Sequence, residues 1–156
     1  MDNKPKIILV DDHLPFRDGL KSILTIENIA DVIGEASNGV EFIEQLALLD
    51  PDLVIMDIDM PKMNGIEATQ KALEIQPNLK IIVFTMFGDN EYLEKMNSLG
   101  IKAYLLKSSG INELEKVIND VMSGSSDHIE PDNKIRPPTD IENDKFSEKS
   151  TISEND

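Results

Sequence analysis

The apolar run at residues 53–56, Leu53-Val54-Ile55-Met56, stops at an acidic residue, Asp57, and this junction constrains the fold more than any other stretch. The run is too short for a helix and shows no polar alternation. It therefore reads as a strand buried on both faces, the pattern of a parallel sheet covered by helices. Asp57 stands where that strand gives way to a loop, at the rim where open α/β sheets gather their ligands. Pro61 and the pair Asn64-Gly65 then end the strand and turn the chain into a helix. One acidic residue at a strand end is by itself an ordinary solvated side chain. Its meaning changes because three other strand ends also carry polar chemistry: Asp11-Asp12 after residues 7–10, Thr85 after residues 80–84, and Lys107 after residues 103–106.

Strand and helix signals alternate five times. After the first strand, Phe16, Leu20, Ile23 and Leu24 share one helical face. A second strand is expected over 31–37, around Val32 and Ile33. Val40, Ile43, Leu46 and Ala47 then mark a helix that Asp50-Pro51 ends. Gly65 opens a helix to about Ile75, with Ile66, Thr69, Ala72 and Leu73 on one side. Strand 80–85 follows, then a helix from Gly88-Asp89 to about Ser98 closed by Gly100, and a strand over 101–106. Ser109 or Asn112 is expected to cap the last helix, whose apolar positions are Ile111, Leu114, Val117, Ile118, Val121 and Met122. The alternation predicts an α/β, doubly wound, five-stranded parallel sheet with helices on both faces. Right-handed crossovers bring the C-terminal strand ends to one rim. Pattern alone leaves the strand order open. An order with the first strand near the centre brings Asp11, Asp12, Asp57, Thr85 and Lys107 together.

Composition bounds what such a rim can serve. Residues 1–124 are expected to form one domain and 125–156 an acidic, disordered tail. The tail holds nine acidic and four basic residues with Pro131, Pro137 and Pro138, too little apolar surface to offset the entropy of ordering it. The net charge of -15 argues against nucleic acid and anionic membranes as direct partners. There is no Cys, and the first six residues are too polar for a signal peptide, so a cytoplasmic location without membrane association is expected.

Three carboxylates at one rim need a counter-charge. At about 4 Å each pair repels by about 1 kcal/mol in water and by more where solvent is excluded. A hard divalent ion such as Mg2+ takes oxygen ligands from one or two carboxylates, waters and a phosphate. Lys107 adds a fixed positive charge and Thr85 a hydroxyl. A metal, an ammonium and a hydroxyl around one carboxylate suit phosphoryl transfer onto that carboxylate, where the work is positioning and charge neutralisation.

Together, Asp11-Asp12, Asp57, residues 59–65, Thr85, Tyr104 and Lys107 resemble the receiver domain of two-component response regulators, over residues 6–124. The wording of residues 8–13, Phe16-Arg17-Asp18-Gly19-Leu20 and Tyr104-Leu105-Leu106-Lys107-Ser108 is most similar to the NarL/FixJ/LuxR-type branch of these CheY-like domains. The resemblance implies a flavodoxin-like strand order 2-1-3-4-5. It also implies a phosphoacceptor Asp57, charged by a sensor histidine kinase or phosphotransfer protein. Mg2+ would be held by Asp12, Asp57 and the Asp59 backbone carbonyl, with Asp11 acting mainly through water. Thr85 and Lys107 would grip the phosphoryl oxygens. Thr85 moving inward would let Tyr104 pack behind it and signal to a downstream protein, or to a second copy on phosphorylation. Asp59 and Phe87 would flank the path of water and set the lifetime of the acyl phosphate.

Two departures stand out. Residues 125–156 contain no pair of amphipathic helices and no basic face, so the helix-turn-helix output domain usual for this branch is not expected here. Ser108 follows Lys107 where most receivers have a cis proline, and a trans Lys107-Ser108 bond is expected. Such a regulator would act by binding a protein, or as a phosphate sink or scaffold. It would not be an enzyme beyond its own phosphorylation and dephosphorylation. A phosphatase with an Asp nucleophile would also begin with Asp57-Ile58-Asp59, but needs Thr or Val at the position of Pro61 and its acid pair late in the chain. A flavodoxin-like cofactor site is electrostatically opposed by Asp11-Asp12.

Overall fold

The structure, a computed structural model, describes residues 4–86 and 88–124. The expected acidic tail lies outside the described residues. Five strands, β1 (Lys6–Val10), β2 (Asp31–Ala36), β3 (Leu53–Met56), β4 (Lys80–Thr85) and β5 (Ala103–Leu106), form one sheet in the order β2-β1-β3-β4-β5. Every pairing is parallel, so the flavodoxin-like order implied by the family resemblance is the one found.

The helices α1 (Leu14–Ile26), α2 (Gly39–Leu48), α3 (Gly65–Ile75), α4 (Asn90–Leu99) and α5 (Gly110–Ser123) cover both faces. One core joins Ile8, Val10, Val54, Met56, Ile81, Val83 and Tyr104 to α2, α3 and α4 through Phe42, Leu46, Ala68, Ala72, Leu93 and Met96. A second joins Ile7, Leu9, Leu53, Ile55, Ile82, Phe84 and Leu105 to α1 and α5 through Leu20, Leu24, Leu114, Val117, Ile118 and Val121. Successive strand residues point to opposite faces, so a run with no polar member supplies both cores at once. This is why 53–56 is apolar throughout and buried throughout.

Several local expectations change. On α2, Phe42 and Leu46 are buried while Val40 and Ala47 are exposed. The Asn38 side chain accepts the Glu41 N–H and starts the helix at Gly39, which turns Phe42 rather than Val40 to the sheet. On α1, Ile23 is exposed and Arg17 takes the inward stripe with Leu20 and Leu24. β5 begins at Ala103 rather than 101, although the Lys102 N–H already donates to the Ile81 carbonyl of β4. Neither Ser109 nor Asn112 caps α5 with its side chain. A 3-10 turn, Lys107–Ser109, leads in, and Asn112 lies inside the helix. The Lys107-Ser108 bond is trans, like every described peptide bond. Gly100 closes α4 in the left-handed region, φ 96°, as the sequence predicts.

Candidate functional site

β1 and β3 are neighbours in register, Val10 opposite Met56, so Asp11 and Asp57 leave the sheet side by side. Backbone bonds set both. The Asp57 N–H donates to Val10 O at 2.9 Å, and the Asp11 N–H donates to Ala36 O at 3.0 Å. Asp12, the next residue, is exposed. One carboxylate oxygen from each of Asp11, Asp12 and Asp57 lies within 4.8 Å of the others.

Lys107, just past the end of β5, reaches across β4 into this group. Its Nζ stands 2.7 Å from Asp11 Oδ2 and 3.1 Å from Asp57 Oδ2, with little of any of the three side chains exposed. Asp57 Oδ1 accepts the Ile58 N–H at 2.7 Å, which fixes the plane of the carboxylate. Thr85, at the end of β4, is wholly buried, and its side chain favours the ionised form of the same carboxyl. Burial, and after it the charge of Asp11, pushes the Asp57 carboxyl above its ordinary range. Lys107, Thr85 and the Ile58 N–H pull the other way. Burial alone would lower Lys107, but its hydrogen bond to Asp11 and the two carboxylate charges hold it above its usual value.

The loop after β3 is anchored against the Asp57 backbone. The Gly65 N–H donates to Ile58 O at 2.8 Å. A Cβ on Gly65 would lie 2.0 Å from Asp57 O, so only glycine lets α3 start this close to the site. Asn64 and Glu67 complete a reciprocal cap at the same helix start. Asp59 is exposed in the loop. Tyr104 is fully buried in the three-helix core, and burial, then Asp89, pushes its phenol upward. Phe87 lies outside the described residues. The structure thus brings Asp11, Asp12, Asp57, Thr85 and Lys107 to one rim, with Asp59 on the adjoining loop and Tyr104 behind, two residues before the end of the neighbouring strand.

Two neighbours were not singled out from the sequence for this site. The Phe16 ring lies under the Lys107 ammonium, and Arg17 binds the Asp11 carbonyl. The spacing of Arg17, Leu20 and Leu24 at i, i+3 and i+7 was the available signal that Arg17 faces inward.

The donor set fits a hard divalent cation. Three carboxylates facing one ammonium leave two negative charges unbalanced, and all the donors are oxygen. A doubly wound sheet in this order, with acids, a hydroxyl and a lysine at its carboxyl rim, defines a receiver-type signalling domain. The chain belongs to the response regulator receiver domain family, whose model matches residues 7–119. Receiver domains bind Mg2+ at an acidic pocket of this kind. It is 34% identical over 130 residues to the transcriptional regulatory protein DegU of Brevibacillus brevis, covering 83% of this chain and 55% of that protein. The chain spans about half the length of the curated relatives it matches. Among solved structures, a two-component response regulator of the LuxR family from Aurantimonas sp. SI85-9A1 superposes with a TM-score of 0.77 at 30% identity, covering 83% of this chain and 92% of that one. The isolated receiver domain of RcsB from Salmonella enterica serovar Typhimurium, solved in the presence of the phosphomimetic BeF3-, gives 0.74 at 27% identity, covering 83% and 96%. No described helix is long and apolar enough to cross a membrane.

Proposed function

We propose that Asp57 is the phosphoacceptor of a two-component system. A carboxylate oxygen of Asp57 attacks the phosphorus of a phosphohistidine on a sensor kinase or phosphotransfer protein. The P–N bond breaks, and its electron pair stays on the imidazole, which takes up a proton. Asp12 and Asp57, with the Asp59 carbonyl, would hold Mg2+, and Asp11 would act through water. When bound, the ion supplies charge neutralisation for the phosphoryl oxygens. Lys107 and Thr85 then bind two of those oxygens, which keeps the new acyl phosphate oriented. The observation that supports this most is the bridge of Lys107 between Asp11 and Asp57, with Thr85 buried at the end of the adjoining strand.

Phosphorylation adds about 1.5 to 2 negative charges at the rim. Lys107 then exchanges a carboxylate for a phosphoryl oxygen, and Thr85 with Tyr104 conveys the change to the face of α4, β5 and α5. That face is proposed to bind a downstream protein or a second phosphorylated copy, not nucleic acid. Asp59, exposed beside the acceptor, is proposed to tune the access of water and so the lifetime of the phosphate.

Incubation with acetyl phosphate and Mg2+ tests the reading. Intact-mass measurement is expected to show the gain of one phosphoryl group in the parent and none in Asp57→Asn. A gain in the mutant, or no gain in either, overturns it.

A further inference from the structure

The buried charged side chains among the described residues are Asp11, Asp57 and Arg17. The two acids belong to the rim, while Arg17 sits one helical turn into α1 on its core-facing stripe. A buried cation is a poor way to gain stability, because desolvation cancels much of what its partners return and an apolar side chain serves as well. Its partners indicate another role. Nη1 donates to the Asp11 carbonyl, and also to Ala36 O and Ser37 Oγ, each at 3.3 Å. Nε donates to Glu35 Oε1 at 3.0 Å, while the other oxygen of Glu35 takes Lys21 at 2.8 Å. The planar fork thus ties the end of β1 to the end of β2.

With that bond in place, every polar atom of Asp11 is held. Its N–H donates to Ala36 O, its carbonyl accepts from Arg17, Oδ1 accepts the His13 N–H at 2.9 Å, and Oδ2 meets Lys107. The Asp11 carbonyl belongs to the peptide that leads to Asp12, so fixing it fixes the direction in which Asp12 leaves the strand. Three like charges within 4.8 Å would otherwise push the loop open.

We propose that Arg17 is a positioning residue that holds the Asp11-Asp12 peptide in place, and thereby keeps the three carboxylates close enough to bind a divalent cation. This rests on the reading of the rim as a Mg2+ site, and deepens it.

The test titrates Mg2+ calorimetrically into the parent, Arg17→Met, Arg17→Lys and Asp12→Asn, and follows phosphorylation by acetyl phosphate across Mg2+ concentrations. Arg17→Met is expected to weaken Mg2+ binding by about tenfold, as loss of an outer-shell partner does. Its phosphorylation rate at saturating Mg2+ should stay within about twofold of the parent's, a split that a purely structural role would not produce. Arg17→Lys keeps the charge without the fork, and is expected to weaken binding by about threefold. It carries the comparison alone should Arg17→Met not fold. Parent-like Mg2+ affinity in the folded variants overturns the inference, as does a lost saturated rate with affinity intact. A parent that binds Mg2+ no better than Asp12→Asn overturns the metal reading itself, which is a distinguishable result.

Discussion

The Lys107 ammonium lies over the Phe16 ring, 4.2 Å from its centroid. It is held between a π face on one side and two carboxylates on the other, with the side chain about 10% exposed. A desolvated cation–π contact contributes about 1 to 2 kcal/mol. A double-mutant cycle on Phe16→Leu and Lys107→Met, read by urea denaturation, is expected to give a coupling of about 1 kcal/mol. Additivity within about 0.3 kcal/mol would show the ring to be a spectator.

Gly65→Ala tests how tightly α3 is seated on Asp57. The added methyl meets backbone, the Asp57 carbonyl at 2.0 Å, so nothing can swing aside. A loss of about 1 to 3 kcal/mol in stability is expected. Phosphorylation should slow as well, because the displaced carbonyl belongs to Asp57. Parent-like stability and rate together would mean that the loop yields.

The sign of the Asp57 shift predicts a pH dependence. Its carboxyl is held above the ordinary range by burial and by Asp11, so the folded state binds the proton more tightly than the unfolded chain does. The resulting stability is present at low pH and is lost as the pH rises through the folded value, leaving the ionised group a net burden near neutrality. In EDTA, Asp57→Asn is therefore expected to melt higher than the parent at pH 7, with the gap closing as the pH falls toward about 4, the ordinary Asp value. A thermal-melt series that shows the mutant less stable at pH 7 would reverse the assignment of causes.

On the proposed reading Mg2+ binds the folded rim and not the unfolded chain, so it should raise the melting temperature by mass action. At ten times its dissociation constant the gain is about 1.4 kcal/mol, a shift of several degrees for a domain of this size. Asp12→Asn is expected to lose most of that shift while keeping its melting temperature in EDTA. A shift of equal size in the mutant would count against a role for Asp12.

The acidic junctions were legible because each follows a run with no polar member, which leaves neither the strand nor its end in doubt. The order of strands was not, since hydrophobic pattern records which faces are buried and not which neighbour lies alongside. It came from the family likeness instead. The inward face of α2 was read only in part: Leu46 and Ile43 do pack inward, but Val40 and Ala47 share helical spacing with them as plausibly as Phe42 does. The Asn38 cap settles the rotation, and its effect is geometric. Arg17 escaped notice because a charge on an apolar stripe is normally read as surface, whereas here carbonyls from the ends of two strands converge on it. The side-chain caps expected at Ser109 or Asn112 gave way to a 3-10 turn, whose backbone bonds the sequence does not advertise.

The sheet divides the interior into two separate apolar compartments, and the rim is wired into each by a different side chain. Tyr104 sits in the compartment under α2, α3 and α4, while Phe84, in contact with the Phe16 ring that carries Lys107, sits in that under α1 and α5. On the proposed reading, a change at Asp57 would reach each side of the sheet through its own set of contacts. Damage to the packing of one compartment leaves the other's contacts with the rim in place.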